Sequence, residues 1–383
     1  MKKVYADNSS TSFPKPNVVG EALLQYINNI GTNVSRGNYE QSYSAGRILY
    51  ETRELLCQFF SFNEPLNVII TSSITESLNI IIKGALKPGD HVITTSMEHN
   101  AVIRPLHTMI NEGIEHTAVQ CSTEGILDVN AFIQSIRPNT KLVIINHVSN
   151  VTGSIQDIYE IGRVCKQHNL DFVIDSAQSA GVLSINFNEL NLSALPFTGH
   201  KGLMGPQGVG GVVLKQSFAD KLKPFKEGGT GSFSEQEYQP SILPDKFESG
   251  TLNLPGIFGL NAALKYINKI GISEIYGHEQ ELGKLFLDRI LNMEGLAVHG
   301  PRDLQHRTSV FSLTFNNMET AEAAYMLDTE YGIMTRSGIH CSPLAHKTVG
   351  TFPQGTVRFS FGFFNTEDDI SHICDSIYKI SKL

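Results

Sequence analysis

The chain has 383 residues, of which 41% are hydrophobic and 18% are charged. This composition is ordinary for a globular protein with a large core, and the length predicts two domains or one large domain with an appendage. The formal net charge of -8 argues against nucleic acid or an anionic membrane as a partner.

Targeting and redox features predict a cytoplasmic protein. The first seven residues lack the apolar core of a signal peptide, and no window approaches the roughly 18 consecutive apolar residues of a membrane span. The five cysteines are odd in number and widely scattered. This spacing favours neither a disulfide framework nor a zinc site, so we expect no metal.

The chain opens with an irregular polar segment that includes Asn8, followed by two predicted helices. Asn17 is expected to cap the first helix, whose apolar spacing extends over residues 18–27. The second helix is expected at about residues 45–60. The polar loop between them carries Arg36.

Strands and amphipathic helices alternate from residue 68 onward. Apolar strand-like runs at 68–72, 91–95, 116–121, 141–146, 172–175, 192–197 and 210–215 are interspersed with helical patterns at 77–86, up to 111, at 129–136 and at 158–167. Nearly continuous apolar strands separated by helices are typical of a mostly parallel sheet with helices on both faces. The sequence therefore predicts an α/β fold.

Polar side chains follow five of the predicted strands, at the position where ligands bind in such sheets. They are Thr75, His99, Asn150, Asp175 with Gln178, and Lys201. The ordinary alternatives are Asp175 as a cap for the next turn, His99 as a loop histidine, Thr75 as a helix start, and Asn150 and Gln178 as polar loop residues. Five such strand ends together favour one ligand site.

The stretch from Pro196 to Gly202 gives this site its chemistry. A desolvated lysine becomes a nucleophilic amine that forms Schiff bases with aldehydes. Thr198 and His200 beside Lys201 suit a phosphate, and an aldehyde that carries a phosphate is pyridoxal 5'-phosphate (PLP). The alternative interpretation is an exposed lysine in a glycine-rich turn.

The C-terminal part has a different pattern. Two long helices at 256–270 and 272–291 lead out of the first domain. Strands at 309–315, 333–336 and 356–361, with helices at 320–331 and 367–380, predict a smaller α+β unit. We expect a large domain over residues 15–258 and a small domain over 259–383 that includes residues 1–14.

Cys341 lies outside any periodic pattern, unlike the other cysteines. Its neighbours Arg336 and His340 are residues that lower a thiol pKa and favour the thiolate. A loop cysteine without a role is the alternative. The setting favours a nucleophile.

These stretches together resemble the cysteine desulfurases, in the class V aminotransferase branch of fold-type I PLP enzymes. The matching segments, in the family's order, are 7–11, 98–100, 147–153, 175–178, 198–201, 247–251 and 336–341. The segments that contain Lys201 and Cys341 are the most specific. The chain departs from the pattern at Ser9 and Ser10, where alanines are usual, and at Ile74, where threonine is common.

The resemblance implies a role for each matched residue. Lys201 would hold PLP and move protons, His99 would stack on the ring, and Asp175 would pair with the ring nitrogen. The other cofactor contacts would be Asn150 and Gln178 at the ring hydroxyl, Ile74, Thr75, Thr198 and His200 at the phosphate, and Thr251 from a partner subunit in a homodimer. Arg358 would bind the substrate carboxylate, with Asn8, Arg36 and Arg336 on the substrate side.

The resemblance implies conversion of L-cysteine to L-alanine, with the sulfur transferred to Cys341 as a persulfide. A selenocysteine lyase or a cysteine/cystine C–S lyase would use the same PLP frame. An aminotransferase would not need Cys341. A nucleotide-binding scaffold lacks support, because no G-x-G-x-x-G follows a strand. The resemblance also implies a sulfur-acceptor protein as a partner, which the sequence does not name.

Overall fold

The computed structural model describes residues 2–34 and 37–383. The strands, in chain order, are β1 (Val4–Tyr5), β2 (Val68–Thr71), β3 (His91–Thr95), β4 (Glu115–Val119), β5 (Thr140–Asn146), β6 (Asp171–Asp175), β7 (Ala194–Thr198), β8 (Gly210–Leu214), β9 (Leu296–His299), β10 (Val310–Phe315), β11 (Ile333–Met334), β12 (Arg336–Gly338) and β13 (Thr356–Ser360).

The α-helices follow the same chain order. They are α1 (Asn17–Gln25), α2 (Glu40–Phe59), α3 (Ile74–Ala85), α4 (Asn100–Asn111), α5 (Val129–Gln134), α6 (Ile158–Gln167), α7 (Gln216–Ala219), α8 (Leu254–Ile270), α9 (Ile272–Ile290), α10 (Thr320–Tyr331), α11 (Pro343–Thr348) and α12 (Glu367–Ile380). A π-helical turn (Tyr26–Ile30) extends α1, and a 3₁₀ turn (Pro65–Asn67) precedes β2.

A seven-stranded sheet forms the larger part of the molecule, in the order β2-β8-β7-β6-β5-β3-β4. Its pairs are parallel except for those of β8, which runs antiparallel to β2 and β7. Alternate residues of β5 face opposite cores: Val143 and Ile145 pack into one, and Leu142 and Ile144 into the other. The prediction of a mostly parallel sheet covered on both faces is confirmed.

A second, antiparallel sheet has the order β12-β13-β10-β9. Its apolar face packs with α9 and α12 around Phe286, Phe311 and Phe359. The N-terminal strand β1 pairs in parallel with β11, so residues 4–5 lie against this smaller unit. The domain boundary at residue 258 remains a prediction.

Several predicted elements differ from the structure. Asn17 does not cap α1, because Pro16 takes the N-cap position in an extended conformation and Asn17 is the first helical residue. Helix α3 begins at Ile74 rather than at residue 77, since the Ser73 side chain accepts the N–H of Glu76 and caps the helix earlier. The strand predicted at 333–336 is two strands, β11 and β12, which belong to different sheets.

Among the residues that the structure describes, none of the helices combines the length and apolar character that crossing a membrane requires.

A buried ion pair fixes the segment that carries Thr251 to the sheet. The guanidinium of Arg53 on α2 donates to both carboxylate oxygens of Glu248, at 3.0 and 2.8 Å. Glu248 also accepts the N–H of Ile70 in β2 at 2.6 Å. The two side chains are only 4% and 6% exposed, so each buried charge is stabilised by the opposite charge of the other.

Arg53→Met should lower the free energy of unfolding by about 3–5 kcal/mol, because Glu248 would keep a buried charge without its partner. The matched control is Arg137→Met, whose pair with Glu115 is 49% exposed on both sides and should cost about 0–1 kcal/mol. Urea unfolding measures both. Equal, small losses would contradict the structural role given to Arg53.

Candidate active site

Lys201 lies in the turn between β7 and β8, close to the carboxyl end of β6. Burial lowers the pKa of Lys201 to about 8, against the opposing charge of Asp175. The turn is tight: a Cβ on Gly202 would lie 2.5 Å from the carbonyl oxygen of Ala180, so only glycine fits there. Lys201 is therefore a partly buried lysine at this strand end, and not an exposed surface lysine.

Asp175 ends β6 and is buried. Its Oδ1 accepts the N–H of Ala177 at 2.9 Å, as the alternative interpretation of a turn cap predicted. Burial raises the pKa of Asp175, while the Ala177 hydrogen bond and the charge of Lys201 oppose that rise. Lys201 and Asp175 therefore act on each other's protonation, which places both in one site.

His99 caps α4 with its ring. Its Nδ1 accepts the N–H of Ala101 at 3.0 Å, and burial, followed by the charge of Lys201, lowers the pKa of His99 to about 4. The ring is therefore neutral at physiological pH and carries its proton on Nε2. A flat, uncharged imidazole suits stacking on an aromatic ligand.

Four groups near the ends of β7 and β2 are suited to an anion. Thr198 Oγ1 and His200 Nδ1 are buried with no hydrogen-bond partner among the described residues. Burial, with the charges of Lys201 and Lys15, lowers the pKa of His200 to about 4. Ile74 and Thr75 form the first turn of α3, where backbone N–H groups and the helix dipole favour negative charge.

The Cys341 loop lies beside the start of α4. The thiol is exposed, and Arg336 Nη2 is 3.9 Å from Cys341 Sγ. The N–H of Asn100 donates to the carbonyl oxygen of Cys341 at 2.8 Å. The exposed cysteine is therefore held next to the helix that His99 caps.

Asn150 anchors the same loop with both ends of its amide. Its Nδ2 donates to the carbonyl of His340 at 2.9 Å, and its Oδ1 accepts the hydroxyl of Ser342 at 2.8 Å. The expected contact of Asn150 with a ring hydroxyl remains a prediction. The expectation that His340 adds positive charge beside Cys341 is wrong, because burial lowers the pKa of His340 to about 2 and leaves it neutral.

Arg358 is buried in β13 and is bound within the protein. It donates to Asp7 at 2.5 Å, to Ser10 Oγ at 2.8 Å and to the carbonyl of Asn150 at 3.1 Å. Its Nε has no partner among the described residues. Arg336 also donates to Ser10 Oγ, at 3.1 Å, so the serine that departs from the family pattern joins the two arginines.

The remaining predicted residues fall in three places. Asn8 and Gln178 line one cavity with Lys201, and Gln178 Nε2 donates to the carbonyl of Ser9 at 3.0 Å. Thr251 is exposed and lines a separate cavity with Ser72. Arg36 lies outside the described residues.

Two features of the site were not assigned from the sequence. Glu98 is buried and accepts the hydroxyl of Thr95 at 2.7 Å and the N–H of Asn146 at 3.0 Å, so it ties β3 to β5 just before His99. Burial raises the pKa of Glu98 to about 8. The other feature is the contact that residues 7–15 make with Arg358 and with the Lys201 turn. The one sequence feature that could have predicted this contact is the dense run of hydroxyl and amide side chains at 8–12.

Comparison with known proteins places this arrangement in a family. The family model described as aminotransferase class-V matches residues 4–373. This chain belongs to that family. A probable cysteine desulfurase from Pyrococcus abyssi is 34% identical over 99% of this chain and 94% of its own length, and one from Methanothermobacter thermautotrophicus is 31% identical over the same shares.

Solved structures of cysteine desulfurases share the fold. The apo enzyme from Thermococcus onnurineus superposes with a TM-score of 0.94 at 32% identity, covering 99% of this chain and 95% of that one. A cysteine desulfurase from Escherichia coli in an S-sulfonic acid form gives 0.89 at 25% identity, with the same coverage of both chains. The predicted fold class, a fold-type I PLP enzyme architecture, is confirmed.

The pKa of Lys201 predicts how its reactivity depends on pH. Because burial lowers this pKa from 10.5 to about 8, the fraction of free amine should rise as the pH rises through about 8, well below the range of ordinary lysines near 10.4. Reductive methylation with formaldehyde and cyanoborohydride, on protein first treated with hydroxylamine to remove bound carbonyl compounds, measures this by mass spectrometry of the Lys201 peptide. The exposed lysines of the same sample are the control. Methylation of Lys201 that rises only near pH 10 would contradict the buried site.

Proposed function

We propose that this protein is a PLP-dependent cysteine desulfurase that converts L-cysteine to L-alanine and takes the sulfur onto Cys341. The observation that carries the proposal is the position of Cys341, an exposed thiol 3.9 Å from Arg336 on a loop bonded to the start of the His99-capped helix. An aminotransferase has no use for such a thiol. The cysteine desulfurase relatives support the same conclusion.

The described residues fit PLP. Thr198 Oγ1 and His200 Nδ1 are buried polar atoms with no partner in residues 2–34 and 37–383 and, with the first turn of α3, suit a phosphate. Asp175 suits a protonated ring nitrogen, and the neutral His99 suits a ring face. When bound, PLP supplies an aldehyde for a lysine amine and an electron sink for carbanion chemistry.

Lys201 transfers protons to and from the substrate, and Arg358 and Arg336 bind its carboxylate. With a pKa of about 8, Lys201 Nζ exchanges protons readily near neutral pH, as removal of the proton from the substrate Cα and its later return require. Arg358, whose Nε has no partner among the described residues, and the exposed Arg336 provide positive charge for the substrate carboxylate. Asn8 and Gln178 line the same cavity as Lys201.

Cys341 performs the sulfur transfer. Its thiolate attacks the substrate sulfur, so that one S–S bond forms and the substrate C–S bond breaks. The electron pair of that bond stays with the carbon fragment, which takes up protons and leaves as alanine. Cysteine and the Cys341 thiol thus yield alanine and a Cys341 persulfide, which a sulfur-acceptor protein then discharges.

The five cysteines are all free thiols, which supports a reducing compartment such as the cytoplasm.

A homodimer with shared sites is part of the proposal. Thr251 is exposed and lies outside the cavity that Lys201 lines, which supports a role for it in the phosphate site of a partner subunit. Twofold symmetry is the commonest closure for such an assembly. Light scattering at micromolar protein should therefore give twice the 42.2 kDa mass of one chain. A monomer under these conditions would rule out a site completed by the partner.

Cys341→Ser should abolish alanine formation from L-cysteine while leaving the absorbance of bound PLP intact, because serine cannot accept the sulfur. In the unmodified enzyme, mass spectrometry after incubation with L-cysteine should find one added sulfur on the Cys341 peptide. Cys57→Ala, at a buried cysteine in α2, is the matched control and should retain turnover.

Other outcomes identify the competing functions. Continued turnover of selenocysteine by Cys341→Ser, without turnover of cysteine, would indicate a selenocysteine lyase. Pyruvate and ammonia in place of alanine would indicate a C–S lyase. An unmodified Cys341 in an enzyme that is forming alanine would exclude the persulfide mechanism.

A further inference from the structure

The backbone of Lys201 lies outside regular secondary structure. Strand β7 ends at Thr198 and β8 begins at Gly210, so the intervening turn must be fixed by other contacts. Within the turn, the N–H of Met204 donates to the carbonyl of Lys201 at 2.8 Å. The donors to the His200 carbonyl come instead from the N-terminal strap, which we define as residues 7–15.

The strap sends several donors to two neighbouring carbonyls. The carbonyl of His200 accepts the Thr11 hydroxyl at 3.0 Å, the Ser12 N–H at 3.0 Å and the Lys15 ammonium at 2.8 Å. The carbonyl of Lys201 accepts the Ser12 hydroxyl at 2.9 Å. The peptide that leads into the Lys201 side chain is therefore held on both sides by the strap.

Lys15 determines the direction of the Ser12 hydroxyl. An ammonium group has donors only, so in the 2.8 Å contact between Lys15 Nζ and Ser12 Oγ the serine is the acceptor. The one hydrogen of Ser12 then points to a carbonyl, and the Lys201 oxygen at 2.9 Å is closer than the His200 oxygen at 3.3 Å. Lys15 thus holds the turn directly and through Ser12.

In the part of the chain that the structure describes, Lys15 has no other partner that would explain its position. It is half-buried, and among the described residues its ammonium contacts no carboxylate, only Ser12 Oγ and the His200 carbonyl. Placing a charge there is unfavourable without strong hydrogen bonds. Burial lowers the pKa of Lys15 to about 8, in line with that cost.

The strap does not need Lys15 for its own attachment. Asp7 accepts a charge-assisted bond from Arg358, Asn8 donates to the carbonyl of Ser360 at 3.0 Å, and β1 pairs with β11. These contacts anchor the chain to the smaller sheet. The contacts of Ser12 and Lys15 are additional and end on the two residues at the candidate Schiff-base position.

We propose that Ser12 and Lys15 are positioning residues for Lys201, which fix the His200 and Lys201 carbonyls so that the Lys201 amine meets its aldehyde in one orientation. The inference rests on the proposed function, since it assumes that Lys201 forms the Schiff base.

The test measures Schiff-base formation by protein freed of PLP with hydroxylamine and dialysis. PLP is added back, the absorbance change gives the rate, and borohydride followed by peptide mass spectrometry locates the adduct. Lys15→Met and Ser12→Ala should each slow adduct formation at Lys201 by roughly 10-fold, the effect of losing one charge-assisted hydrogen bond or its equivalent. Both should also shift the pH at which the absorbance of the bound cofactor changes.

Conservative and distant variants provide the controls. Lys15→Arg keeps the charge and the donors and should restore most of the rate. Lys2→Met removes a lysine of the same chain end, paired with Asp369 at 2.7 Å, and should leave both the rate and the pH titration unchanged. Thermal unfolding of each variant separates loss of fold from loss of position. If Lys15→Met fails to fold, Ser12→Ala, which removes no charge, tests the positioning role by itself.

The outcomes separate this inference from the proposed function. If the unmodified protein forms no borohydride-fixed adduct on Lys201, the proposed function fails. If it forms the adduct and Lys15→Met and Ser12→Ala match its rate and its pH titration, only the positioning role is overturned. A slower rate with a shifted titration in these two variants, restored in Lys15→Arg, supports it.

Discussion

The burial of the Lys201 amine is the constraint on which the candidate site depends. An ammonium removed from water is unfavourable, so its pKa falls to about 8 although Asp175 acts against the fall. The positive charge that remains affects the rest of the site. Together with burial, it lowers the pKa values of His99 and His200 to about 4. The site therefore holds neutral imidazoles around one amine and one carboxylate, which suits a ligand with its own charged phosphate.

Arg358 connects this amine to the thiol. Its guanidinium is fixed by Asp7 on the strap and by the carbonyl of Asn150. The Asn150 amide, in turn, holds the loop that carries Cys341. A buried charge is strongly destabilising when one partner is lost. The guanidinium of Arg358 therefore holds the strap and the loop that carries Asn150 in fixed relative positions. The positions of the amine and of the thiol are consequently not independent.

The sequence predicted those parts of the fold that depend on local pattern. The strand at 91–95 and the helix at 158–167 have the expected bounds, because their apolar periodicity is continuous. Parallel strands also bring their carboxyl ends to one edge, which correctly grouped Asp175 with Lys201. Features that depend on distant partners were missed. Strands β11 and β12 separate because their neighbours, β1 and β13, belong to different sheets.

Burial explains the other errors of prediction. His340 is adjacent to Cys341 in sequence, and adjacency suggested a cation beside the thiol. The ring is instead buried against Thr356, with its Nε2 and the Thr356 Oγ1 3.2 Å apart, and its pKa falls to about 2. Of these two neighbours, the exposed Arg336 is the one that presents positive charge to the sulfur. No one-dimensional pattern distinguishes these two neighbours, because the difference arises from the packing of α11 and β13 around the loop.

The backbone of the Cys341 loop shows why the thiol is held in place. His340 and Cys341 have φ angles of 47° and 59°, a left-handed conformation that side-chain-bearing residues adopt at a cost of about 1–3 kcal/mol each and keep only when their surroundings impose it. Here Asn150, on a loop of the large sheet, and Asn100, at the start of α4, impose it, and β12 leads into it from the small sheet. Swinging the loop outward would break these hydrogen bonds. The exposed thiol is therefore held at the junction of the two sheets, and under the proposed function the substrate and the sulfur acceptor would have to approach it there.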